Sequence, residues 1–280
     1  MSGAPTSCRA TAERSASLEV RLLGLLEFDS ALRLQERIVY ELSGRSDRQG
    51  VLLLCEHPPL ISIGREGSRS QVLASEEELA ACEVPVRWVS RSGCAVVHAP
   101  GQLAVYALLP LDRLGISPAE YRARMETALL DVCHELRTPA KRIDGSPGIW
   151  GRCGQVGHFG AAVRWWVTMH GMWLNVCPEP GWLQQIRSDV VQWPSTPAVD
   201  LGGAATPGKR SRPESSPAPP PVLERRVSSL QEQLMRRVSM SAAREGMIRR
   251  LAAAFGYETV HAYTGHPDLV RRTVRVCIEA

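Results

Sequence analysis

Residues 91–106 read R-S-G-C-A-V-V-H-A-P-G-Q-L-A-V-Y, a short apolar strand set between two glycine-bearing turns. Ser92 and Gly93 let a backbone approach a ligand closely, and Cys94 leads into Ala95, Val96 and Val97, which have the composition of a buried strand. His98 stands where that strand runs into the turn Ala99-Pro100-Gly101, and Gln102 precedes a second apolar run over 103–109. Buried strands fix geometry and glycines remove bulk, so a loop of this kind suits binding or chemistry. An ordinary strand pair closed by a Pro-Gly turn fits the same residues.

Outward from this loop the chain alternates strands and helices. Residues 18–26 begin with the period-two alternation of a strand, and 28–42 carry helical periodicity through Ala31, Leu34, Ile38 and Leu42, with Asp29 or Ser30 as the cap. Ser117-Pro118 opens a helix over 119–136, and Ser239 or Ser241 caps another that runs to about Ala254. Residues 270–278 alternate arginine with apolar side chains and read as an edge strand. Residues 1–17, small and polar, are expected to form a mobile tail, and 194–221, rich in Pro, Ser, Gly and Ala, a disordered insertion. The division that follows is an α/β domain over 18–193, the insertion, and a helical part of the same domain over 222–280 ending in a strand.

Composition narrows the function classes. A chain of 280 residues, 44% hydrophobic and 22% charged, can bury one sizeable core. No apolar run reaches the roughly 18 residues of a membrane span, and the first twenty residues lack a signal-type apolar centre, so a cytoplasmic protein without a membrane partner is expected. The eight cysteines lack paired C-x-x-C spacing, which points away from a zinc site or a disulfide framework and towards small buried hydrophobes. The net charge of +4 rests on arginine, since Lys141 and Lys209 are the only lysines. Without interleaved aromatic and basic residues, this surplus does not suggest a nucleic-acid partner.

Four collinear segments resemble the lipoyl(octanoyl) transferases, the octanoyl-[acyl-carrier-protein]:protein N-octanoyltransferases. They are 52–67 (L-L-L-C-E-H-P-P-L-I-S-I-G-R-E-G), the 91–106 loop, 147–176 with its H-G-M-W-L-N-V ending, and 227–255. In that family the loop reads closer to R-G-G-D, a strand, then Y-H-G-P-G-Q-L, so this chain is a divergent member. The resemblance implies an α/β (α+β) fold of the biotin/lipoate protein ligase type, a mixed sheet flanked by helices. It also implies an acyl pocket formed by 91–98, by His158, Phe159 and Gly160, and by Gly171, Met172 and Trp173, with the strands at 52–55, 95–98 and 171–176 in one sheet. His170 would stand at the pocket mouth or serve as a hydrogen-bonded structural histidine. Trp165, Trp166, Trp173 and Trp182 would form core and pocket wall, with Trp173 narrowing the tunnel.

The implied reaction moves an octanoyl or lipoyl group from octanoyl-acyl carrier protein to the lysine of a lipoyl domain, of a 2-oxoacid dehydrogenase or the glycine cleavage H protein, without cofactor or metal. A cysteine thiolate activated by a nearby lysine carries the acyl group in the family. Here Gln155 occupies the lysine's place and carries no charge, and the family's P-C-G turn falls at about Ser188-Asp189, where there is no cysteine. Cys177, with Arg152 or Arg164 as the cation, is the first substitute nucleophile; Cys153, and Cys94 paired with His98, are the others. A homologue that binds acyl carriers or lipoyl domains without transfer is the alternative. An ATP-dependent ligase is disfavoured, since Lys141 is the one nearby lysine and no nucleotide loop is evident.

Overall fold

The structure is a computed structural model describing residues 16–143, 146–186 and 226–269. The strands are β1 (Ser17–Leu25), β2 (Gly50–Glu56), β3 (Leu60–Ile63), β4 (Val86–Trp88), β5 (Ala95–His98), β6 (Gln102–Leu108), β7 (Lys141–Ile143), β8 (Ser146–Trp150), β9 (Gln155–Arg164), β10 (Val167–Asn175) and β11 (Thr259–Thr264). Among them run α1 (Phe28–Ser43), α2 (Glu76–Ala81), α3 (Leu111–Leu114), α4 (Pro118–Glu135), α5 (Pro180–Leu183), α6 (Leu230–Leu234) and α7 (Met240–Ala254). The main sheet has the order β11-β1-β2-β6-β10-β9-β8-β7, and a second sheet the order β4-β3-β5. β1 pairs in parallel with both β2 and β11, while β2, β6, β10 and β9 run antiparallel in turn. The expected mixed sheet flanked by helices is what forms.

Both faces of the main sheet are covered, which explains why β2 and β10 read as continuous apolar runs. Leu52, Leu54, Val105, Met172 and Leu174 face α4 and α7, packing with Tyr121, Met125, Leu129, Met247 and Leu251. The alternate residues Leu53, Cys55, Tyr106 and Trp173 face α1, packing with Ala31, Leu34, Ile38 and Leu42. Residues 226–269 thus return to the same core, through α7 against α4 and through β11 beside β1.

Local signals place α4 and α7 where the sequence predicts them. The Ser117 side chain accepts from the Glu120 N–H with Pro118 in the first turn, and Ser239 accepts from the Ala242 N–H. For α1 the expected cap is wrong. Glu27 is the N-cap and makes no side-chain bond. The helix instead begins at Phe28, whose buried ring packs edge-on against His57 at 5.4 Å, so tertiary packing rather than capping sets its start.

The expected common sheet for 52–55, 95–98 and 171–176 is also corrected. β2 and β10 share the main sheet, but β5 pairs with β3 in the small one, with Leu60 opposite His98 and Ser62 opposite Val96. The turn at 99–102 redirects the chain before β6, its Gln102 N–H bonding the Ala99 carbonyl, and Pro100 has no N–H to extend a ladder. The small sheet has its own core of Ile61, Ile63, Val72, Leu79, Ala95 and Val97. Ser17, assigned above to the tail, pairs with Thr259 at the start of β1. The insertion 194–221, the strand over 270–278 and Ser188-Asp189 lie outside the described residues.

Candidate functional site

The loop 91–94 lies flat on the hairpin formed by β9 and β10. The Ser92 N–H donates to the Ala161 carbonyl at 2.8 Å, and the Ala161 N–H returns to Ser92 Oγ at 3.0 Å. From the other side, the Arg65 N–H donates to the Arg91 carbonyl at 2.9 Å, and Glu66 accepts from the Gly93 N–H through its carboxylate. Two glycines make this possible. A Cβ on Gly160 would stand 2.5 Å from Ser92 O, and one on Gly64 would stand 2.2 Å from Gly93 O.

Arg91 occupies the centre and is fully buried. Its Nη2 donates to Ser62 O at 2.9 Å and to Ser62 Oγ at 2.8 Å, its Nη1 donates to Ser92 O at 3.0 Å, and its guanidinium lies 5.0 Å over the Trp173 ring. Burial lowers its pKa to about 10, so it remains a cation in a dry setting. Beside it His98 Nδ1 lies 3.0 Å from Gln102 Oε1, and Nε2 lies 2.8 Å from Ser62 Oγ. The Gln102 amide nitrogen donates to Val97 O and Asn175 Oδ1, so its oxygen accepts. His98 therefore carries its proton on Nδ1, and Ser62 donates its hydroxyl to Nε2. The same reasoning fixes His57, whose Nδ1 must donate to the Leu26 carbonyl at 2.6 Å while Nε2 accepts from the Tyr106 hydroxyl at 2.6 Å. Burial pushes His57 down to about 4 and His98 well below the usual histidine range, so both are neutral.

Some polar atoms at this centre have no hydrogen-bond partner among the described residues: Arg91 Nε, His158 Nε2 and both ring nitrogens of His170. His158 and His170 are each pushed to about 3, by burial first and then by the Arg91 charge. His170 also has φ +60, costly for a histidine, and its N–H is held by Gln35 Oε1 at 2.7 Å. Unpaired polar atoms, a buried cation and a strained residue in one place are properties of a site rather than of a plain core. The alternative of hydrogen-bonded ring nitrogens does not hold for His170, and its burial removes it from a pocket mouth.

Strand alternation sorts the expected pocket residues. Arg91, Ser92, His98, His158, Gly160 and Trp173 meet at the face described, with Gly171 in the same hairpin. Phe159 and Met172 point to the opposite face, into the core under α4, so they are removed from the pocket. Ala95 and Val97 turn into the small sheet's core and Val96 packs under α1. Among the described residues Trp173 is the largest fully buried side chain, with its ring 5.3 Å from that of His98, as a wall residue should be. Trp165 and Trp166 are exposed, not core, and Trp182 packs half-buried against the small sheet. Sequence reading missed His57, Ser62, Gln35 and Asn175 as site residues; the E-H-P-P turn contained the signal for His57.

The substitute nucleophiles separate in the same way. Gln155 is buried and its amide donates to Pro147 O at 2.8 Å. Cys177 is half-buried, and its N–H bonds the Gly101 carbonyl two residues past Asn175, at the outer end of the Gln102–Asn175 network. Burial and then the Glu56 carboxylate push its thiol up, and the cation that opposes them is Arg237, not Arg152 or Arg164. Cys153 is exposed in a loop whose N–H groups bond Gln233. Cys94 Sγ contacts Glu66 O at 3.5 Å, while both His98 nitrogens are taken by Ser62 and Gln102, so the Cys94–His98 pair does not form. Of the six described cysteines only Cys55 and Cys133 are buried, against the expectation that most would be.

A cavity of about 1310 Å³ lies beside this centre, lined by Arg21–Leu26, the start of α1, Pro58 and residues 264–269. Its wall includes Leu26, whose carbonyl holds His57. Residues 28–252 match the lipoyl protein ligase A/B catalytic domain. The chain belongs to that family. The octanoyltransferase of Geotalea uraniireducens is 38% identical over 157 residues, covering 56% of this chain and 70% of the relative. That of Xanthomonas campestris is 34% identical over 187 residues, covering 66% and 77%. Among solved structures, lipoate-protein ligase A bound with ATP superposes with a TM-score of 0.62 at 14% identity, over 89% of this chain and 90% of that one. The bi-partite lipoate protein ligase of Thermoplasma acidophilum gives 0.59 at 13% identity, over 89% and 88%. At such identities these structures speak for the fold alone.

Proposed function

We propose that this protein is an octanoyltransferase of lipoate assembly, moving an octanoyl group from acyl carrier protein to the lysine of a lipoyl domain. The observation that carries the reading is the 38% identity to an octanoyltransferase over 157 residues, within a chain whose residues 28–252, the loop at 91–98 and the hairpin it lies on included, match the family's catalytic domain. In this reading the buried Arg91 guanidinium, through Ser62 and Ser92, and the neutral His98, through Ser62 and Gln102, keep the loop in register beside the acyl pocket. Lipoyl-domain and carrier partners belong to the same proposal, as do a cytoplasmic setting and a domain that resumes after 194–221.

For the acyl-carrying step Cys177 is the first residue to test. Its thiolate would attack the octanoyl thioester, forming an enzyme thioester and releasing the carrier thiol. The lipoyl lysine amine would then take the acyl group as an amide and restore the Cys177 thiol. Burial and Glu56 both disfavour the thiolate, so transfer is expected to be slow and to accelerate with rising pH. Gel shift of a lipoyl domain with octanoyl-carrier as donor tests this in wild type, Cys177→Ser, Cys153→Ser and Cys94→Ser. Loss in Cys177→Ser alone supports the assignment, and transfer surviving all three rules out a thiol route. A binding-only homologue is the second reading. It is favoured by Gln155, whose uncharged amide is tied to the Pro147 carbonyl where a cation would activate a thiol.

A further inference from the structure

β2 and β10 flank β6 in the main sheet, and where β6 begins, Glu56 at the end of β2 and Cys177 just beyond β10 stand on the two sides of Gly101. The Glu56 carboxylate accepts from the Gly101 N–H through Oε2 at 2.8 Å, and the Gly101 carbonyl accepts from the Cys177 N–H at 3.0 Å. Gly101 has φ +91, and a Cβ there would stand 2.6 Å from the Cys177 carbonyl carbon and oxygen, so the close approach depends on glycine. Both side chains lie on the same face. Arg244 of α7 approaches Glu56 Oε1, and Cys177 packs against the core under α4 and α7. The backbones of β2 and β10 are two strand spacings apart, roughly 10 Å, and the Glu56 side chain spans part of that gap by reaching Gly101. Its Oε1 has room for another partner: the Arg244 guanidinium is 3.8 Å away, beyond hydrogen-bond distance, no other donor among the described residues reaches it, and the side chain is 24% exposed.

A carboxylate beside a nucleophilic thiol opposes the first half of the proposed reaction, since its charge disfavours the thiolate. The second half calls for it. The nitrogen of a lipoyl lysine arrives as an ammonium, and it becomes positive again as it bonds to the thioester carbon. We propose that Glu56 receives the lipoyl lysine: its Oε1 draws in the ammonium and then takes the proton that the nitrogen sheds in attacking an acyl group on Cys177. The proposal rests on the function argued above, with Cys177 as the acyl-carrying residue. The docked ammonium first loses one proton to water. The amine lone pair then bonds to the thioester carbon, and the now positive nitrogen gives a second proton to Glu56. The C–S bond breaks, the sulfur leaves with the electron pair, and Glu56 hands its proton to that sulfur. The products are the octanoyl amide on the lipoyl domain, the Cys177 thiol and an ionised Glu56, as at the start.

Glu56→Gln is the test, because a glutamine oxygen still accepts from the Gly101 N–H while the charge and the basicity are gone. Four quantities are compared with wild type in the full chain: thermal midpoint, formation of the octanoyl adduct from octanoyl-carrier, discharge of that adduct by hydroxylamine, and its discharge to a lipoyl domain. Hydroxylamine is largely neutral at the pH of the assay and has no ammonium to dock. The expected result is an unchanged midpoint, adduct formation at least as fast as in wild type, unchanged discharge by hydroxylamine, and discharge to the lipoyl lysine slowed about a hundredfold or more. Lysine discharge at the wild-type rate overturns the assignment and leaves the transferase standing. A lowered midpoint, or adduct formation and both discharges slowed together, overturns it in favour of a role in holding the turn at Gly101. Wild-type transfer that survives Cys177→Ser overturns it by taking the thioester away from Glu56. A wild type that gives neither adduct nor transfer removes the proposed function, and the part of Glu56 with it.

Discussion

Trp173 holds the site together at the scale of single residues. It supports Arg91 from below at 5.0 Å, touches His98 at 5.3 Å and donates to the Tyr106 hydroxyl at 3.4 Å. Trp173→Ala should destabilise the fold by about 3–5 kcal/mol, read from urea unfolding. A loss below about 1 kcal/mol would mean the ring is not packed as described. The histidines set the acid response. His57, His158 and His170 have folded pKa values near 4, 3 and 3 and so stay neutral, while the unfolded chain takes up protons below the ordinary 6.5. Their stabilisation is therefore fully present above pH 6.5 and lost as pH falls towards 4, by up to about 1.4 kcal/mol per pH unit for each. Unfolding followed from pH 7.5 to 5 should show that slope, and His170→Asn, which keeps a residue tolerant of positive φ, should make it shallower. A flat profile to pH 5 would contradict neutral burial.

Elements differ in how far the sequence alone places them. α4 and α7 are legible because their signals are local: a serine cap, a first-turn proline, and apolar spacing that faces one core. α1 starts where Phe28 meets His57, and β5 leaves the main sheet for β3; both depend on partners distant in the chain, which periodicity does not report. The site shows the same limit. The loop and hairpin are legible as motifs, but a motif does not say which face each side chain takes, and Phe159 and Met172, expected in the pocket, face the core under α4. Ser62 and Gln35 gave no signal, since their role exists only once β3 and α1 are packed on the loop. Loop and hairpin depend on Gly160. Gly160→Ala puts a Cβ 2.5 Å from Ser92 O and must displace the loop, with an expected cost of about 1–3 kcal/mol in urea midpoint terms. Gly181→Ala, with nothing within 4 Å, is the control that should stay within about 0.5 kcal/mol.

For the whole molecule, the ends of the segment between Ile186 and Arg226 are both anchored, through bridges from Ile186 to Val72 and from Val227 to Gln155. Replacing 194–221 by a short linker should leave the thermal midpoint within a few degrees, because closing a surface loop costs little more when it is long. A fall of ten degrees or more would make that segment part of the core. The overall account joins a family fold to a centre built from Arg91, His98 and Trp173. Its most direct test is an intact-mass time course of the protein mixed with octanoyl-carrier and a lipoyl domain. The account predicts slow appearance of the octanoyl mass on the lipoyl domain, with a transient octanoyl adduct on this protein that Cys177→Ser abolishes. No octanoyl mass on either protein, with the carrier's thioester left intact, would contradict it.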